Sequence, residues 1–164
     1  MESIQAVCVD KKTFRLTENE ALLGTLTYLK WHSYDADIEI SGEKYTLRSK
    51  GLFSSQISIT KNETEVGSLN LHWDGTVSFV LENNETYKLK IKGNFFNKYV
   101  VENEKNEIVS TIHPKFSWKH FIYNYDLIPV NKINPLVALL GIYAAGYYIS
   151  VLTIYISVFV ILLI

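Results

Sequence analysis

Short apolar or alternating runs recur through the first 130 residues, separated by turn-forming residues, and no helical periodicity is sustained before Pro135. The pattern predicts about twelve short strands. They fall over residues 4–9, 13–17, 21–30, 36–41, 43–50, 53–60, 65–72, 76–82, 85–92, 98–103, 107–113 and 115–125. In the fourth, Ile38 and Ile40 alternate with Asp37 and Glu39, which gives one face to a core and the other to water. Asp10-Lys11-Lys12, Ser41-Gly42, Lys61-Asn62-Glu63, Trp73-Asp74-Gly75 and Asn83-Asn84 read as turns, and Gly24 as a bend or bulge inside the third strand.

The pattern changes after Lys132, because no charged residue follows it. A stretch of eighteen or more apolar residues reads as a membrane-spanning helix, and a helix apolar on every side can equally be buried in protein. As one helix, residues 135–164 would be about 45 Å long, and fitting that to a hydrocarbon core of about 30 Å demands a tilt near 48°, beyond the usual limit of about 40°.

A repeat links two parts of the strand-rich body. The pattern Y-x-L-x-x-K-G-x-F occurs from Tyr45 to Phe53 and again from Tyr87 to Phe95, an offset of 42 residues. Extended, it pairs Ile57 with Tyr99, Ile59 with Val101, Val66 with Ile108 and Ser68 with Ser110. Two copies cannot close a propeller, which needs about four blades, so two meanders joined in one closed antiparallel barrel fit better.

These strands, the K-G-x-F turns, the segment Ile112-His113-Pro114-Lys115-Phe116-Ser117-Trp118-Lys119 and the apolar run from Leu139 to Tyr148 together resemble the tubby-like C-terminal domain group. That group includes tubby proteins, phospholipid scramblases and LURP-one-related proteins. The resemblance implies a mainly β fold, a twelve-stranded antiparallel closed barrel around a C-terminal hydrophobic helix, spanning 1–164 as a single domain. It also implies a ligand class, the phosphoinositide lipids that tubby domains hold on basic residues of the barrel. Scramblase activity belongs to one branch only, and no D-x-D-x-D-G calcium loop is present to suggest it here.

Eight-residue strands tilted by about 40° make a barrel roughly 20 Å tall, which about fourteen helical residues cross. With Asn134 as cap and Pro135 in the first turn, residues 136–149 are expected to fill the barrel formed by 1–132, and Gly141, Ala144, Ala145 and Gly146 to admit strand side chains closely. Residues 150–164 are left over. Val151, Ile154, Val158 and Ile161 are their candidate contacts with a bilayer or a partner. The competing reading is an independent soluble β domain with a C-terminal tail anchor; Lys115, Lys119 and Lys132 would then keep that domain cytoplasmic.

Composition narrows the function classes. Sixteen Lys+Arg against seventeen Asp+Glu give a net charge of −1, which does not suggest a nucleic-acid binder. The N-terminus does not read as a secretory signal, and a single cysteine, Cys8, suits a reducing compartment, so a cytoplasmic, membrane-associated protein is expected. No nucleotide-binding loop, nucleophile elbow or zincin motif occurs, so neither an enzyme nor a cofactor is expected. His32, His72, His113 and His120 match no metal spacing, and the sequons at Asn62 and Asn84 read as plain turns. The acidic stripe Asp35, Asp37 and Glu39 reads as a solvated face.

The candidate binding surface is basic. Lys88, Lys90 and Lys92 alternate with Leu89 and Ile91, and Arg48 and Lys50 occupy the repeat-equivalent positions of Lys90 and Lys92. If the two strands lie close, the five cations form a patch for an anionic lipid headgroup, with Arg offering a bidentate grip. A charged face that merely keeps the sheet soluble is the alternative. At the level of the whole chain, the two functions are a lipid-binding membrane module and a soluble scaffold barrel whose protein partner the sequence does not name.

Overall fold

Twelve strands, each antiparallel to the next, close into a barrel in the computed structural model, which describes residues 4–30, 34–50, 55–72, 74–93, 98–118 and 121–162, with the backbone alone over 151–162. They are β1 (Ile4–Cys8), β2 (Thr13–Glu18), β3 (Ala21–Tyr28), β4 (Ala36–Ile40), β5 (Glu43–Ser49), β6 (Gln56–Lys61), β7 (Thr64–Leu71), β8 (Val77–Leu81), β9 (Thr86–Ile91), β10 (Tyr99–Asn103), β11 (Ile108–Ser117) and β12 (Ile122–Pro129), followed by the helix α1 (Pro135–Leu162). The order around the barrel follows the chain, and β12 closes on β1 through Ile4↔Leu127 and Ala6↔Tyr125. Period-two alternation sets the inside: Ile4, Ala6 and Cys8 are buried while Gln5 and Val7 face water.

A barrel of about eight strands is filled by its own side chains, and one of twelve leaves a lumen that they cannot fill. The helix fills it. Nine consecutive residues, 137–145, are buried, so every face of α1 is enclosed over about two and a half turns. Ala144 and Ala145 have no exposure, and a Cβ on Gly141 would come within 3.0 Å of Ile112 Cδ1. The Asn134 side chain accepts a hydrogen bond from the Leu136 amide at 2.9 Å and caps the helix, and Pro135 opens it without wasting a donor.

The repeat runs deeper than two copies. The pairing of β2 with β3 skips Leu23, that of β6 with β7 skips Val66, and that of β10 with β11 skips Val109. These bulges are 43 residues apart in each case (66 − 23 and 109 − 66). Each turns an extra apolar side chain toward the core, and each is followed by a small residue, Gly24, Gly67 or Ser110. A Cβ on Gly67 would sit 2.5 Å from the Val80 carbonyl oxygen. The barrel therefore carries one bulged hairpin in every four strands, at β2–β3, β6–β7 and β10–β11; the first does not show in the sequence pattern.

Most expected strands lie close to the observed ones, but the eleventh and twelfth need correction. Pro114 does not end a strand; it lies inside β11, which ends at Ser117, and β12 begins at Ile122, so the break between them falls within the expected strand 115–125. The reason is an edge. β10 reaches only as far as the Tyr99↔Ile112 pair, so beyond it β11 bonds to β12 alone among the described residues, and the missing proline N–H costs little on the open side.

Strand direction gives the barrel two distinct mouths. At the near mouth, where α1 starts, the connections are residues 19–20, 41–42, 62–63, 82–85, 104–107 and 130–134. At the far mouth, toward which α1 runs, they are 9–12, 29–35, 50–55, 72–76, 92–98 and 118–121. Three near connections are two-residue turns with both residues at positive φ (Asn19 and Glu20, Ser41 and Gly42, Asn62 and Glu63), the backbone twist that hairpins favour.

Candidate functional site

The five cations expected to form one patch do not meet. β6, β7 and β8 stand between β5 and β9, which separates the two groups by about four strand spacings, ~19 Å along the sheet. The condition that the two strands lie close is not met, and most of the cations already have carboxylate partners. Arg48 donates to Asp37 at 2.9 Å and to the carbonyls of Ala36 and Leu47, and Lys50 pairs with Glu65 at 3.1 Å. Asp37 also takes Lys44 at 2.7 Å, so the expected acidic stripe is ion-paired at its centre. Burial pushes the Asp37 carboxyl up, but the bonds from Lys44 and Arg48 outweigh it and hold the group below the ordinary aspartate range.

On β9 the balance differs. Lys90 lies 2.6 Å and Lys92 3.8 Å from the two oxygens of the buried Glu102, and Lys88 has no salt bridge among the described residues. Three lysines around one carboxylate leave an excess of positive charge on this outward face. Alternation shows the lysines in the sequence, whereas Glu102 becomes their neighbour only through the β9–β10 register, which sets it opposite Lys88.

The other expected chemistry has structural explanations. The Cys8 thiol is buried, and burial pushes it up, away from nucleophilic use. His72 Nε2 shares a hydrogen bond of 2.6 Å with Ser78 Oγ, and no group of three metal-ligating side chains forms among the described residues. Both sequon asparagines, Asn62 and Asn84, sit in turns at positive φ. His32, His120 and the side chains of Val151, Ile154, Val158 and Ile161 lie outside the described residues.

The far mouth is lined with tyrosine. Tyr143 donates to the Tyr34 carbonyl at 2.7 Å and stacks on Tyr28, Tyr147 meets Tyr34 edge-on at 4.3 Å, and Tyr148 meets Tyr99 at 6.3 Å. Side chains apolar in body and polar at the tip suit the place where a helix passes from a dry interior to another environment. Residues 146–149 are half-buried and Ser150 is exposed, yet the helix continues for twelve further residues, about 18 Å. Among the described residues, no helix is long and apolar enough to cross a membrane.

The mouths also differ in charge. Among the described residues, the far connections carry six lysines, at 11, 12, 30, 50, 92 and 98, against Asp10, Asp35 and Asp74. The near connections carry six glutamates, at 20, 63, 82, 85, 104 and 107, against Lys105 and Lys132. A cleft of about 440 Å³ opens at the near mouth between Tyr87, Asn103, Glu107, Val130 and Lys132. Burial and the hydrogen bond to Glu85 push the Tyr87 hydroxyl up to about 12, so it stays protonated at neutral pH.

The barrel is similar to a protein from Arabidopsis thaliana known from its X-ray structure. The two superpose with a TM-score of 0.54 over 87% of this chain and 88% of that one, at 15% identity, a likeness of fold alone. No protein-family profile and no curated protein matches the sequence.

Proposed function

We propose that this protein is a non-enzymatic, membrane-associated lipid-binding module of the tubby-like kind. Its barrel grips the first half of α1, and the part beyond Ser150 enters the bilayer. The observation that carries this reading is the helix: enclosed over 137–145, exposed at Ser150, then helical for twelve more residues whose sequence contains no charge. About 18 Å of apolar helix is enough to enter one leaflet of a hydrocarbon core about 30 Å thick. The lysine face of β9 supplies the anionic-headgroup contact, supported by its positive excess around Glu102. A cytoplasmic location agrees with the single buried cysteine.

Alkaline carbonate extraction tests the insertion. The full chain is expected to stay with the membrane pellet, and a variant carrying Val151→Asp, Ile154→Asp, Val158→Asp and Ile161→Asp to be released. Release of the unmodified chain would overturn the reading and favour a soluble interaction barrel.

A further inference from the structure

The helix explains how the chain could enter a bilayer but not which way the barrel faces it. Three neighbouring connections at the far mouth bear on that. Because β12 pairs with β1 and β2 with β3, residues 118–121, 9–12 and 29–35 follow one another around the rim. Trp118 is 77% exposed and Phe121 76%, with Val9 and Leu29 also exposed beside Lys11, Lys12 and Lys30. None of these three lysines has a salt bridge among the described residues.

The two aromatics are held in place. Phe116 meets Trp118 edge-on at 4.9 Å and Phe121 at 6.1 Å, so both rings rest against β11 while most of their surface stays in water. Phe121 keeps a φ of 52°, a left-handed backbone region that strains a side-chain-bearing residue, and it does so without burying its ring. Exposed aromatics under that strain, interleaved with lysines that form no salt bridge among the described residues, match the two halves of a membrane interface: amphipathic rings at headgroup depth and cations on anionic lipid, with Asp10 the acidic neighbour of Lys12. The opposite mouth carries the glutamates, which such a surface repels.

We propose that this rim, Trp118 and Phe121 with Val9, Leu29, Lys11, Lys12 and Lys30, is the docking surface that seats the barrel far mouth down on a bilayer containing anionic headgroups. The inference rests on the membrane reading above and adds an orientation and a second, charge-dependent contact.

Vesicle flotation of the full chain separates the two. Phosphatidylcholine vesicles report insertion alone, and vesicles with about a third phosphatidylserine add the charge contact. Lys11→Glu with Lys12→Glu and Lys30→Glu should lower partitioning onto the anionic vesicles by at least about tenfold and reduce its salt dependence, with little change on the neutral ones. Trp118→Ala with Phe121→Ala should weaken both, and near-ultraviolet circular dichroism would verify that these surface changes leave the barrel folded. If the triple variant floats with anionic vesicles as the unmodified chain does, the rim is overturned and the helix reading stands. If the four-aspartate helix variant still binds anionic vesicles in a salt-dependent way and adding the three lysine substitutions removes that binding, the rim stands and the helix reading fails. No flotation of the unmodified chain on either vesicle overturns both.

Discussion

The two mouths of the barrel differ in the length, charge and exposure of their connections. The near connections include three two-residue turns, are rich in glutamate and end in a capped helix start. The far connections run to seven residues at 29–35 and 92–98, carry the lysine excess and expose Trp118 and Phe121. Tight turns with fixed twist lock strand register, whereas longer connections leave room for side chains that answer to something outside the fold. One helix joins the two regimes: residues 137–145 are part of the core, and the chain emerges to exposure at Ser150.

The largest test of that division is truncation after Lys132. Val137, Leu139, Leu140, Ile142 and Tyr143 are each about 99% buried or more, and full burial of such a side chain is worth roughly 1.5–3 kcal/mol. Together they rival the 5–15 kcal/mol by which a domain is typically stable, so the truncated chain is expected to lose cooperative unfolding in urea. A folded, cooperative product would show that the helix does not plug the barrel. The four-aspartate variant beyond Ser150 should by contrast melt within a few degrees of the unmodified chain.

Gly67→Ala comes next. The new methyl would meet the Val80 backbone carbonyl, which cannot move without opening the β7–β8 pairing, and overpacking of this kind costs roughly 1–3 kcal/mol. Urea midpoints should fall accordingly. An unchanged midpoint would mean that the bulged hairpins are looser than their spacing suggests.

The sequence made the barrel legible because strands such as β1 and β2 alternate and the near turns have the residues that positive φ demands, as at Asn62 and Ser41-Gly42. The helix plug was legible from the small residues that follow Pro135. What stayed hidden depends on partners far away in the chain. Glu102 partly offsets the β9 lysines only through strand register, and Asp37 holds Arg48 across the β4–β5 pair. The charge difference between the mouths was hidden for a related reason: strand direction sends alternate connections to opposite ends, so the linear sequence interleaves the two populations into a balanced composition. The aromatic rim was missed through one local error, since reading Pro114 as a strand end drew the next strand across the turn that displays Trp118 and Phe121.

Smaller effects sharpen the near side of the comparison. Asn134→Ala removes the cap on α1 and should cost about 1 kcal/mol by thermal melt, with Asn134→Asp retaining it. Asp37 links stability to acid. Its folded pKa lies below the unfolded value, so the stabilisation is present above about pH 4 and is lost as pH falls through the depressed folded value. Between about pH 5 and pH 2, Asp37→Asn should therefore lose less stability than the unmodified chain, although it starts lower. Parallel stability–pH curves for the two proteins would remove the ion pairs from the account.

The smallest expected change in stability lies at the far mouth, and its sign is informative. At Phe121, glycine would relieve the strain of a positive φ, worth roughly 1–2 kcal/mol, against a backbone-entropy cost of about 0.5–1 kcal/mol. Little burial is lost, because the ring is three-quarters exposed and touches Phe116 only edge-on. Phe121→Gly is therefore expected to hold or raise the melting temperature slightly while weakening flotation on vesicles. That separation is what a contact residue should show, since its strain is kept for something other than folding. A loss of more than about 1 kcal/mol would instead assign Phe121 to the packing of the β11–β12 turn and dissolve the distinction between a mouth that closes the barrel and one that meets the membrane.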